Sequence, residues 1–236
     1  MSLVVGAASQ SAAVLVTDSI HVELTSGRVR SGHVKHVRCG QRAAAIAGVS
    51  DVDGVTFLPW LDAACSKAAN FDAIGDEFLR AAGAPFVNAY QRWRKLVGTN
   101  EPAENFLSIV IVSTESGQGE VGLLTASETH GALTLSGDAY RVTERVRCVA
   151  AGAADDIVMS ETEIGRVVKR HAEFTGRRSP FSTATDQLAS MTGASLSAWA
   201  QSLVSSAVAR QARLSRPTWW PQDTPVICRP LHTVLV

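Results

Sequence analysis

The sequence has no surplus of either charge: 22 Lys and Arg balance 22 Asp and Glu, giving a formal net charge of zero and a pI near 7. A chain without a basic or acidic excess offers no electrostatic footprint for nucleic acid or an anionic membrane surface. Long apolar runs are also missing. None approaches the about 20 residues that a membrane-spanning helix needs. Leu3 opens an apolar stretch, but no basic segment precedes it and Asp18 interrupts it early, so it does not read as a signal peptide. A cytoplasmic protein is expected. Cysteine is sparse: Cys39, Cys65, Cys148 and Cys228 stand far apart with no CxxC pair, which argues against a zinc ribbon or a disulfide framework. Each lies in an apolar neighbourhood that suits a free buried thiol. The six histidines are equally scattered. His33 and His36 flank Lys35 but have no partner motif such as HExxH, so neither a metal nor another cofactor is expected. The chain also lacks a P-loop, a GxSxG elbow, a GxGxxG in a strand–helix context and any repeat of solenoid period.

What is present is a strongly apolar chain, 46% hydrophobic over 236 residues, enough for one substantial domain spanning 1–236 and too short to favour two large ones. The first fifty residues read as β. Leu3–Ala8 and Ala13–Thr17, separated by the Ser9-Gln10-Ser11 turn, have hairpin spacing. Two further runs follow, around His33–Val37 and Ala43–Ala47. The runs at Leu3–Ala8, Ala13–Thr17 and Ala43–Ala47 are continuously apolar rather than alternating, which predicts strands covered on both faces.

From Val55 the period changes. Phe57, Leu61, Ala64, Cys65 and Ala68 recur at helical spacing, with Pro59 tolerable in the first turn. A second helix is predicted from near Asp72 to near Leu96, interrupted at Gly83 and Pro85. Phe106–Val112 is the strongest strand in the sequence. Val121–Thr125, Ala132–Leu135 and Val146–Ala150 follow as strands, then a helix from about Ala154 to Gly176 and a connector at Arg177–Pro180. A last helix, Ser195 to about Ala212, has Ser195 as its N-cap. The chain closes with strands at Pro225–Cys228 and Thr233–Val236. Segregated blocks of strand and helix predict an α+β layering rather than a βαβ repeat. Thr218-Trp219-Trp220-Pro221 is read as a loop folded onto the helix layer or as an anchor at a subunit interface.

Three features of the opening segment resemble a proteasome β subunit or its bacterial relatives. A small hydroxyl residue, Ser2, begins a hairpin whose second strand ends in Asp18. Lys35 opens the third strand, and the fourth ends in the small-residue turn Ala47-Gly48-Val49-Ser50 that leads toward the first helix. The resemblance implies a four-layer αββα sandwich of two mainly antiparallel sheets flanked by helices, the N-terminal-nucleophile hydrolase fold. It also implies that Ser2, Asp18, Lys35 and Gly48 are the catalytic residues of a peptide or amide hydrolase, assembled as a homo-oligomeric ring with an ATPase partner. The sequence departs from the family's pattern at four places. Serine replaces the usual threonine nucleophile, Ile20 stands where an arginine is common, Ala150-Ala151-Gly152-Ala153 has no hydroxyl, and Arg210–Arg216 has no aspartate.

The chemistry of those residues can be stated directly. A serine hydroxyl needs an adjacent base to become a nucleophile. Removal of Met1 would free the Ser2 α-amine, whose pKa of about 7.7–8.0 lets it accept that proton near neutral pH. Lys35 would keep the amine neutral by its charge, Asp18 would hold Lys35, and the Gly48 N–H would face a developing oxyanion. Two other functions fit the resemblance: a catalytically silent structural subunit, favoured by the absent hydroxyls, and a small-molecule amidase on the same scaffold.

Overall fold

The computed structural model describes residues 3–23, 29–30, 32–52, 54–98, 103–152, 182–188, 190–210 and 231–236. Ser2, the helix expected from 154 to 176, the connector at 177–180, the Trp219-Trp220 loop and the strand expected at 225–228 lie outside them. The described chain is a mixed α/β structure of antiparallel sheets and three α-helices. No described helix is long and apolar enough to cross a membrane.

One five-stranded sheet is built around the N-terminal hairpin. β1 (Leu3–Ala8) pairs with β2 (Ala13–Thr17) on one side and with β12 (Arg145–Gly152) on the other. β13 (Ser182–Leu188) adds beyond β12, and β14 (His232–Leu235) beyond β2. The second five-stranded sheet runs in the order β11-β10-β9-β6-β5. Its strands are β5 (His36–Cys39), β6 (Arg42–Gly48), β9 (Leu107–Ser113), β10 (Glu120–Thr129) and β11 (Ala132–Arg141). Two short ribbons complete the strands: β3 (His21–Val22) with β4 (Val29–Arg30), and β7 (Asp51–Val52) with β8 (Val55–Thr56).

The side-chain period of two sorts the apolar strands onto two faces. In the first sheet Leu3, Val5, Ala7, Val14 and Val16 point toward α3 (Gly193–Arg210), meeting Leu196, Ala200, Leu203, Val204 and Ala207. Val4, Ala8, Ala13 and Leu15 point the other way. They pack with Ala43, Ala45, Ala47, Val110 and Val112 of the second sheet. The outer face of that sheet, including Ala44, Ile46, Ile109 and Ile111, is covered by α1 (Leu58–Lys67) and α2 (Ala73–Val97). There Phe57, Trp60, Phe78, Phe86, Tyr90, Trp93 and Phe106 form one connected set of ring contacts. The strands of the hairpin and of β6 and β9 are thus buried on both sides, as their unbroken apolar runs require.

Local boundaries differ from expectation where short-range chemistry competes with the period. The turn after Gly48 leads into the β7–β8 ribbon, and α1 begins at Leu58, because Val55 and Thr56 pair with Val52 and Asp51. The expected break in α2 is at Gly83, whose φ of 51° and ψ of −144° lie outside the helical region, two residues before Pro85. β10 and β11 run further than predicted, as a ten-residue hairpin on each side. The last helix starts earlier than Ser195: Thr192 is its cap, accepting the Ser195 N–H at its Oγ1 (3.3 Å), while its carbonyl takes the first helical bond, from Leu196.

Candidate active site

The hairpin register brings the start of β1 and the end of β2 to one edge of the first sheet, with Val4 opposite Thr17. β12 ends and β14 begins at the same place, Gly152 opposite Leu3 and His232 opposite Thr17. Asp18, one residue beyond β2, turns its carboxylate into this edge and is fully buried. Its Oδ1 accepts the Leu3 N–H at 3.1 Å and the Lys35 ammonium at 3.0 Å; its Oδ2 accepts the Ile20 N–H at 3.4 Å. The backbone closes the same contact, since the Asp18 N–H donates to the Leu3 carbonyl at 3.1 Å.

Lys35 belongs to the second sheet. It stands one residue before β5 rather than inside a strand, and its carbonyl accepts the Ile46 N–H at 3.0 Å, which continues the β5–β6 ladder by one rung. Its side chain is 2% exposed, so the ion pair with Asp18 is sealed from water and joins the two sheets. Gly48 ends β6, two residues beyond Ile46. Its φ of 97° suits glycine, and a Cβ there would meet the Phe106 carbonyl oxygen at 2.7 Å. The structure therefore brings Asp18 and Lys35 into contact and sets Gly48 at the end of the strand that Lys35 pairs with. Ser2 lies outside the described residues, but Leu3, the residue that follows it, is held by the same carboxylate oxygen as Lys35.

Polar groups without partners concentrate around this edge. Among the described residues, the buried side-chain atoms that find no hydrogen-bond partner are Thr17 Oγ1, Ser19 Oγ, His33 Nε2, His36 Nδ1, His232 Nε2 and Trp93 Nε1. All but the tryptophan belong to residues that flank Asp18 or Lys35 or that pair with Thr17. Each such group costs desolvation, so their gathering sets this region apart from the apolar core.

Sequence reasoning missed the neighbours of this edge. His21 Nε2 lies 3.1 Å from Asp51 Oδ2, and the rings of His21 and His33 are 4.6 Å apart between centroids. Burial, followed for His21 by the charge of Lys35 and for His33 by His21, holds both imidazoles below their ordinary pKa. Burial raises the Asp51 carboxyl. Short-range spacing carries no signal for such a group, because its members come from positions 21, 33 and 51.

No family model matches the sequence, and no curated protein matches it. Among solved structures the chain is similar to the crystal structure of eukaryotic HslV from Trypanosoma brucei, at 15% identity and a TM-score of 0.44, covering 99% of this chain and 98% of that one.

A cleft of about 790 Å³ opens at the other end of β6, lined by Arg42, Phe71, Glu115, Glu120 and Arg141 among others. Arg42 is committed to structure there. It donates to the carbonyls of Cys65 and Ala68 and pairs with Glu115. The described cysteines are free, and burial pushes the Cys65 and Cys148 thiols up to about 12, which leaves them inert.

Proposed function

We propose that this chain is an N-terminal-nucleophile hydrolase of the proteasome-subunit kind, with its layers arranged as an αββα sandwich, cleaving peptide or other amide bonds through Ser2. The observation that carries the reading is the sealed Asp18–Lys35 pair, whose shared carboxylate oxygen also holds the amide of the residue after Ser2. A buried ion pair is a poor source of stability, since apolar residues of the same volume often do as well or better by about 1–4 kcal/mol. A lysine kept dry beside the chain start is instead suited to setting the protonation of a nearby amine.

In the proposed reaction the Ser2 α-amine, freed by removal of Met1, takes the hydroxyl proton as Oγ attacks the substrate carbonyl. Lys35 favours the neutral amine by its charge, and Asp18 fixes Lys35. The oxyanion of the tetrahedral intermediate meets the Gly48 N–H. Collapse expels the amine product, which receives the proton from the Ser2 ammonium, and leaves an ester. Water, deprotonated by the same amine, then releases the acid and restores the serine. Assembly into a homo-oligomeric ring with an ATPase partner belongs to the same reading.

A second reading, a silent structural subunit, is favoured by one observation. The residues opposite Leu3 and Val4 are Gly152 and Ala151, so β12 offers no hydroxyl to the chain start. Intact-mass analysis after treatment with an epoxyketone or β-lactone separates the two. One adduct on a chain that begins at Ser2, lost in Ser2→Ala and slowed at least about 100-fold in Lys35→Ala, supports the enzyme. Processed protein that takes up no adduct refutes it.

A further inference from the structure

We propose that His21, His33 and Asp51 form a binding site for a divalent transition-metal cation of the zinc class, beside the Asp18–Lys35 pair and independent of the hydrolase reading. One ligand atom from each residue lies within 4.8 Å of the other two. Ligand atoms at about 2.0–2.1 Å around a tetrahedral zinc are about 3.3 Å apart. The His21–Asp51 contact of 3.1 Å already meets that spacing, and closing the widest separation takes a movement of about 1.5 Å, within reach of a side-chain rotation.

Three further features point to a cation. His33 Nε2 is shut off from water with no hydrogen-bond partner, a state that coordination in the cluster would relieve once the ring turns toward it. Ser50 Oγ lies 3.4 Å from His21 Nδ1, placed to accept that N–H while Nε2 faces the metal, the outer support that metal-bound histidines ordinarily have. The His21 and His33 rings lie 4.6 Å apart between centroids, which keeps both imidazoles within one cluster. Lys35 and Arg30 oppose a cation here by their charge, but Lys35 is paired with Asp18, and Glu23 adds a negative charge on the same side. Two nitrogens and one carboxylate suit zinc and its neighbours and disfavour magnesium and calcium, which prefer all-oxygen shells. With three protein ligands one coordination position stays open.

The test is zinc binding by the full, metal-stripped chain without a histidine tag, measured at pH 7 by competition with a chromophoric chelator. The expected result is a single zinc per chain with micromolar or tighter affinity, undisturbed by excess magnesium. His33→Ala and Asp51→Asn should each weaken it about tenfold or more, and Cys39→Ser, the control for thiol binding, should leave it unchanged. If a variant fails to fold, cobalt(II) bound to the native chain takes its place, and the visible absorption of a four- or five-coordinate ion is expected. No zinc bound in the micromolar range, zinc binding that survives His33→Ala, or a six-coordinate cobalt spectrum overturns the proposal.

Discussion

Replacing Asp18 with asparagine tests how firmly the two sheets depend on the buried ion pair. The substitution keeps the size of the side chain and an oxygen able to accept the Leu3 N–H, but removes the carboxylate charge that faces the buried Lys35 ammonium. Breaking a buried pair from one side costs about 3–5 kcal/mol, because the remaining charge stays out of water and loses the counter-ion that offset its desolvation. An unfolding entropy of about 2.1 cal/mol/K per residue gives a chain of 236 residues ~0.5 kcal/mol/K, so the melting temperature should fall by about 6–10 °C. Lys35→Met in the Asp18→Asn background removes the stranded charge and should recover at least half of that loss, whatever happens to activity. Differential scanning calorimetry of the four proteins in the cycle measures both numbers. An Asp18→Asn melting temperature within about 1 °C of the native value, or a double variant no more stable than the single one, would refute the reasoning, since the lysine would then have found water or another anion.

Gly48→Ala should cost about 2 kcal/mol or more in urea unfolding, since alanine must take a φ of 97° and push its Cβ against the Phe106 carbonyl; a loss under about 0.5 kcal/mol would place that turn elsewhere. Thr192→Ala should cost about 1 kcal/mol by removing the α3 cap, with Thr192→Ser recovering most of it. His36 carries a pKa below 6.5, through burial and then His232. The folded chain therefore keeps His36 neutral while the unfolded chain takes up a proton. The stability from His36 is full above pH 6.5 and is lost as pH falls from there toward the folded pKa. The stability difference between native protein and His36→Gln should accordingly shift against the native chain on going from about pH 7.5 to about pH 5.5, and a difference that stays constant with pH would contradict the assignment.

The parts of the fold that were legible in the sequence are those where one force dominates. Continuous apolar runs at Leu3–Ala8, Ala13–Thr17 and Phe106–Val112 leave a strand no exposed face, and each is a buried central strand. The break in α2 was legible because glycine and proline act locally. The start of α1 was not, since Val55 and Thr56 satisfy a helical period and a ribbon pairing alike, and the pairing with Asp51 and Val52 prevails. β13 went unrecognised because Ser182–Leu188 is mostly polar, and its strand character comes from β12 alongside it. At the site, Asp18 and Lys35 were legible as a strand end and a strand start, and the structure pairs them. The ring of unpartnered hydroxyls and imidazoles around them was not, because it depends on which strand ends share an edge.

The Asp18–Lys35 contact spans the gap between the sheets, and small residues line part of that gap. Ala43, Ala45 and Ala47 of β6 face Ala8 and Ala13 across it, and a methyl group on Gly6 would come within 2.7 Å of Val110. This layer therefore acts as a spacer that helps to fix the distance between the two charged groups. A bulkier side chain here would behave like a shim, lengthening the ion pair before unfolding the protein. Tolerance in this layer is therefore limited by the length of one salt bridge as well as by the packing of the core.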